Sequence, residues 1–115
     1  MQVIFQITAG TPEAQKALLG QLHNLLQYYH ERQAGITVEV AVHGDAYPLL
    51  FAAGNPFAGK VKDLHGRSVR WLICQNTING KQLTPEQLFP FVEVVPAAVA
   101  HLVERQSEGW SYIRC

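Results

Sequence analysis

The chain is poor in the features that announce whole classes of function. Nine basic residues against nine acidic ones leave a formal net charge of zero. The basic footprint that nucleic acid requires is therefore missing, and so is a polybasic patch for anionic lipid. No apolar run approaches the roughly 18 residues that a membrane span needs. Met1 leads straight into Val3-Ile4-Phe5-Gln6-Ile7, with no charged n-region or cleavage site, so a signal peptide is not expected. Only two cysteines occur in 115 residues. That is no disulfide framework, and it implies reduced thiols in a cytoplasmic protein. Internal repeats, linkers and low-complexity tracts are absent. His23, His30, His65 and His101 fall on helical stretches without a carboxylate or thiol at ligand spacing, so neither a metal nor a cofactor is expected. His101 and Glu104 stand three apart, which reads as a surface pair.

What is present is 48% hydrophobic residues, arranged with regular period. A chain of this length buries roughly 65% of its unfolded surface, enough for a single domain over residues 1–115. Zero net charge leaves little self-repulsion and favours self-association.

Residues 2–8 read as a first strand, apolar on both faces, as a sheet covered on both sides requires. Thr11-Pro12-Glu13 is helix-start grammar: a cap, a proline at the first helical position and an acid in the first turn. Ala14, Leu18, Leu22, Leu25, Leu26 and Tyr29 mark one buried helical face to about residue 32, with Gly35 suited to the left-handed position after it. A second strand, 36–43, alternates more cleanly, which leaves one face less covered or at an interface. Two short helices are expected at 45–53 and 57–65, then a strand at 69–74 and a turn around Asn79-Gly80. Thr84-Pro85-Glu86-Gln87 opens a short helix with a capping box, and Phe91 to Val95 is a fourth strand. Pro96 opens a last helix that buries Val99, Leu102 and Val103. After Gly109, Trp110 to Ile113 is a final strand. The steady alternation predicts a three-layer α/β/α sandwich around a five-stranded parallel sheet.

The stretch that points to chemistry is Val69-Arg70-Trp71-Leu72-Ile73-Cys74-Gln75-Asn76-Thr77. A run of strand formers ends in cysteine and a polar turn follows. The carboxyl edge of a parallel sheet is where ligands and reactive groups collect. Cys74 is a packing residue on the plain reading. On the sharper one, amides of the turn aim at its sulfur and favour the nucleophilic thiolate. His43 ends the second strand, just before Gly44, on the same edge. If the second and third strands are neighbours, its imidazole can pair with the thiolate or shuttle its proton; with the first strand between them it cannot. Asp45 reads as a helix cap, or as a partner for His43. Cys115 reads as an exposed thiol or as a resolving partner, but non-adjacent strands would hold it roughly 10–15 Å from Cys74, too far for a disulfide within one chain, while a pair between chains stays open. Gly54-Asn55-Pro56-Phe57-Ala58-Gly59-Lys60 has the spacing of a phosphate loop, yet Val61 replaces the magnesium-binding hydroxyl and no strand precedes it, so it reads as coincidence. Trp110 and Tyr112 read as packing residues of a core or subunit contact.

Four segments together resemble the DsrE/DsrF-like family of small intracellular sulfur-metabolism proteins. They are Val42-His43-Gly44, Cys74-Gln75-Asn76-Thr77, Val94-Val95-Pro96-Ala97 and Glu108-Gly109-Trp110-Ser111-Tyr112-Ile113. The resemblance implies a flavodoxin-like sandwich with sheet order 4-3-2-1-5 and homo-oligomers such as trimers or hexamers. That order would bring His43 beside Cys74. In sulfur-relay members a cysteine near this position takes up persulfide sulfur and hands it to a partner protein, and Cys74 is the residue that matches. The reading that follows is a cytoplasmic sulfur-relay protein that carries sulfane sulfur on Cys74. His43 would tune protonation, while Asn76, Thr77 and Gly44 would bind at the site; sulfur-donor and acceptor proteins are the implied partners. The alternative is a non-enzymatic oligomer that binds a small ligand or a protein at the same edge, with Cys74 structural.

Overall fold

Side-chain alternation divides the sheet into two unlike faces. The structure, a computed structural model, describes residues 1–115. Its five strands are β1 (Gln2–Ile7), β2 (Thr37–Val42), β3 (Val69–Cys74), β4 (Glu93–Val95) and β5 (Ser111–Arg114). All pair in parallel, in the order β4-β3-β2-β1-β5. One face carries Val3, Phe5, Ile7, Val38, Val40, Val42, Val69, Trp71 and Ile73, all buried. Against it lie α1 (Pro12–Glu31), α2 (Ala58–Gly66) and a 3-10 segment, Gly44–Leu50, forming one 19-residue core. The other face carries Ile4 and Ala41, packed with Leu102 and Trp110, and is covered by α4 (Ala98–Ser107). A short α3 (Gln75–Lys81) follows β3 directly. The result is the three-layer, flavodoxin-like sandwich.

The second face is polar as well as apolar. Glu39 is fully buried there and stands opposite Arg70 in the β2–β3 register. Arg70 donates to it at 2.8 Å, Arg105 donates twice at 3.0 and 2.9 Å, and His101 adds a fourth contact at 2.8 Å. A buried carboxylate is tolerated when every lone pair meets a donor. Burial alone would push its carboxyl up, but the hydrogen bonds and charges of Arg105 and His101 reverse this and hold it below the ordinary value. The Arg105 guanidinium, hydrogen-bonded to Glu39, is correspondingly raised, and it also stacks 4.6 Å over Trp110. His101 is thus tied to a carboxylate on another element, not to Glu104 as a surface pair.

Several local expectations are corrected. The polar run after Cys74 is helix α3, not a turn: Gln82 adopts a left-handed φ of 54° and ends it. Residues 45–53 give only the 3-10 segment, with Pro48 inside it. The capping box at Thr84 and Gln87 forms, but around a single 3-10 turn, Pro85–Gln87, because Pro90 removes a donor soon after. The fourth strand is confined to three residues. Gln33, at φ 53°, takes the left-handed position after α1 instead of Gly35. Val99 and Val103 are each 62% exposed: α4 turns Ala98 and Leu102 to the sheet, and its valines lie on the outer side. Asp45 caps nothing and instead pairs with Lys81 at 3.1 Å.

Candidate functional site

Cys74 and His43 come to the same edge because β2 and β3 are neighbours. Val42 pairs with Ile73, so His43 and Cys74 lie one step further on, on strands roughly 4.8 Å apart. Alternation turns both to the α4 face, opposite Val42 and Ile73. They share a cavity of about 460 Å³ with Gly44, Asn76, Thr77, Gly80, Lys81, Ala97, Ala98 and Val99.

The sulfur meets no amide of the residues that follow it, although Cys74 stands at the cap position of α3. Its donor is the backbone N–H of Ala98, the first residue of α4, at 3.3 Å. Pro96 and Ala97 bring that helix start to the end of β3, where Val95 pairs with Cys74. A helix-terminal amide steadies negative charge on the atom it faces. Cys74 is only 5% exposed, so access is through the cavity.

Gly44, at φ 60°, adopts a backbone that glycine favours. Its N–H donates to Thr77 Oγ1 at 3.2 Å, and with the Asp45–Lys81 pair this clips the 43–45 loop to α3. The loop is also tied to the end of β1, through His43 N–H to Ile7 C=O and Asp45 N–H to Thr8 C=O. Thr77 is therefore a fastener of the cavity wall, while Asn76 lines it.

His43 turns away from the thiol for its hydrogen bond. Its Nε2 meets the Gln6 amide nitrogen at 2.8 Å, and Gln6 lies on β1, beyond β2 from Cys74. Gln6 is buried, and its carbonyl oxygen accepts from the Tyr112 hydroxyl on β5. Burial, and then the charge of Arg114, keep His43 below the ordinary imidazole value and so neutral. A thiolate–imidazolium ion pair, one of the expected arrangements, is disfavoured for that reason.

The remaining sequence signals separate from this edge. Cys115 follows β5, three strand spacings from β3, and donates to Gln21 Oε1 at 3.1 Å; both cysteines are free. In the phosphate-loop look-alike, Asn55 binds the carbonyls of Leu49 and Phe51 and accepts from Phe57 N–H. The amides such a loop would offer are partly consumed. Trp110 is core, while Tyr112 reaches the site through Gln6. No three His, Cys, Asp or Glu side chains gather as a metal would require, and no helix is long and apolar enough to cross a membrane. Gln6 and Glu39 are the residues that sequence reasoning missed. Each is a polar residue inside an otherwise apolar central strand, a placement that demands a partner.

A parallel α/β sandwich with a cysteine at its carboxyl edge, under a helix start, defines the class: a small flavodoxin-like protein. More narrowly, the DsrE/DsrF-like family model matches residues 1–115. The chain belongs to that family. It is similar to a protein of unknown function, MTH1491, from Methanobacterium thermoautotrophicum, at 29% identity and a TM-score of 0.90 over 99% of this chain and 98% of that one. The ychN protein from E. coli shares the fold, with a TM-score of 0.74 at 16% identity over the whole of both chains. No curated protein is a significant match.

Proposed function

We propose that the protein carries sulfane sulfur as a persulfide on Cys74, within a cytoplasmic homo-oligomer, a trimer or hexamer. The observation that carries this reading is the position of Cys74 Sγ, which lines the cavity while accepting the Ala98 N–H at 3.3 Å. The Cys74 thiolate attacks the outer sulfur of a donor persulfide, R–S–SH. The donor's S–S bond breaks, R–S⁻ departs, and Cys74–S–SH remains. An acceptor protein's thiolate then attacks that outer sulfur, and Cys74 leaves as thiolate. One negative charge enters and one leaves in each half, so no net proton is needed. His43 and Asn76 line the route of the incoming sulfur, and Gly44 and Thr77 fix the wall behind it.

Self-association is supported by Val94, Val99 and Val103, which are 50%, 62% and 62% exposed. Val99 also lines the cavity, so a second copy seated on α4 would narrow its mouth.

Incubation with a sulfur donor followed by intact mass spectrometry is the test. Wild type is expected to gain about 32 Da, and Cys74→Ser to gain nothing. A wild type that never gains the mass, or a Cys74→Ser variant that does, ends this reading. The near-complete burial of Cys74 favours a second one, a non-enzymatic oligomer that binds a ligand or protein at the same edge. Native alkylation separates them, because a thiol serving only as packing labels slowly across the whole range from mildly acidic to alkaline pH.

A further inference from the structure

Gln6 poses a question the sulfur chemistry leaves open. It is a buried polar residue on the interior strand β1, where its neighbours Val3, Ile4, Phe5 and Ile7 are all apolar and buried. Nothing about the core needs an amide there. Both ends of the amide are used, however. The oxygen accepts from Tyr112, and the nitrogen lies 2.8 Å from His43 Nε2. Register explains why three strands can meet. Tyr112 pairs with Ile4, Gln6 with Ala41, and His43 lies two steps beyond Ala41. Alternation therefore puts Tyr112, Gln6 and His43 on one face of the sheet, the face of Cys74.

We infer that Gln6 and Tyr112 are positioning residues for His43, holding its ring as the neutral tautomer with the proton on Nδ1. With the amide oxygen on Tyr112 and the amide nitrogen on His43, as the structure places them, one tautomer follows. A carboxamide oxygen accepts only and its nitrogen donates only. The Tyr112 hydroxyl donates to the oxygen, which turns the Gln6 N–H toward His43. The ring nitrogen that receives it must present a lone pair, so Nε2 is bare and Nδ1 carries hydrogen. Nδ1 has no hydrogen-bond partner in the protein, and His43 lines the cavity that Cys74 lines. Its N–H is left for whatever enters.

The chemistry that this N–H serves rests on the sulfur-carrier reading; the tautomer rests on geometry alone. In sulfur exchange, charge builds on the sulfur that departs from the broken S–S bond. A neutral imidazole N–H can hydrogen-bond that sulfur without giving up its proton, as an electrophile does. The substrate class follows: a persulfide whose leaving thiolate comes within reach of His43. The charged and titratable groups around His43 are Tyr112 and Arg114 of β5, Cys74 of β3, Lys81 of α3 and Asp45 of the following loop. Arg114 opposes its protonation.

Long-range proton–nitrogen NMR of ¹⁵N-labelled protein reads the tautomer directly, and titration reads the protonation. Wild-type His43 is expected to show protonated Nδ1 and bare Nε2 above neutral pH. In Gln6→Leu the proton should redistribute toward Nε2, and in Tyr112→Phe, a milder change on an edge strand, partly so. The same two variants should load sulfur about tenfold and a few-fold more slowly, the scale of a hydrogen bond lost from a transition state. Protonated Nε2 in wild type, or a tautomer that neither variant disturbs, overturns the inference. A wild type that shows the Nδ1 proton but never takes up sulfur would sink the carrier reading and leave the positioning role standing.

Discussion

Gly10 shows how tightly single residues set the site. A Cβ there would collide with the carbonyl oxygen of Asp45, in the loop that carries His43 and Gly44. Gly10→Ala must push that loop away from the end of β1 and strain its bonds to Ile7 and Thr8. Overpacking of this kind costs about 1–3 kcal/mol. Urea denaturation of Gly10→Ala should show a loss in that range, with slower sulfur loading among the molecules that remain folded. Unchanged stability would mean the loop yields freely. At this scale the sequence shows that Cys74, His43 and Gly44 share one edge of the sheet, because strand ends and the glycine after one of them are local signals. It was not legible for the His43 hydrogen bond, whose partner is 37 residues away, or for Ala98, 24 residues from the sulfur it faces. Which atom donates to a side chain is decided by strand order and helix placement, and no short window holds that information.

Among the elements, α4 is the instructive case. Its sequence reads as one apolar face of Val99, Leu102 and Val103, yet only Ala98 and Leu102 of its residues are buried. A periodic stripe says that a helix has a sticky side, not which side the sheet takes. Here the sheet takes the side that also carries His101 and Arg105, because Glu39 lies beneath them. Removing that carboxylate strips His101 of its partner and leaves Arg70 with Glu93 and Arg105 with Glu108 alone. Breaking a buried pair from one side costs about 3–5 kcal/mol, and since both arginines reach solvent, Glu39→Leu should fall near the lower end, about 3 kcal/mol. The valines left outside make a separate prediction. Val99→Lys with Val103→Lys should lower the mass seen by light scattering toward that of a single chain, with the circular dichroism of the fold retained. An unchanged mass would move the contact elsewhere on the molecule. The strands were easier to foresee than the helix, since β-branched runs with period two admit one reading. The run from 75 to 81 reads as a turn because its residues are polar, whereas it folds as a short helix anchored by Thr77.

Across the whole molecule, the three resolved acid-side shifts act in the same direction, Glu93 being lowered by its hydrogen bonds from Arg70. His43 is held below its ordinary 6.5 and Glu39 below its ordinary 4.5. In each case the unfolded chain binds the proton first as pH falls, so acid favours unfolding. The contribution of His43 is complete above about 6.5 and erodes as pH falls toward its lower folded value. That of Glu39 is complete above about 4.5 and is lost as pH falls through its own folded value. Melting temperature should therefore hold level around neutral pH, sag below the first of these and drop below the second. Calorimetry over that range checks it, and Glu39→Gln should shrink the lower drop to the part that Glu93 supplies while leaving the upper one. A wild-type curve that stays level into strong acid would show that these buried groups contribute nothing to the balance.

The contact between Ala98 N–H and the sulfur has a further consequence. The amide that holds the thiol belongs to the opening turn of α4, and helix ends fray long before a fold gives way. Each time that turn loosens, the sulfur loses its partner and gains headroom in one motion. Exposure of the sulfur and breathing of the helix tip are thus a single event, whose frequency the surrounding sheet has no need to share.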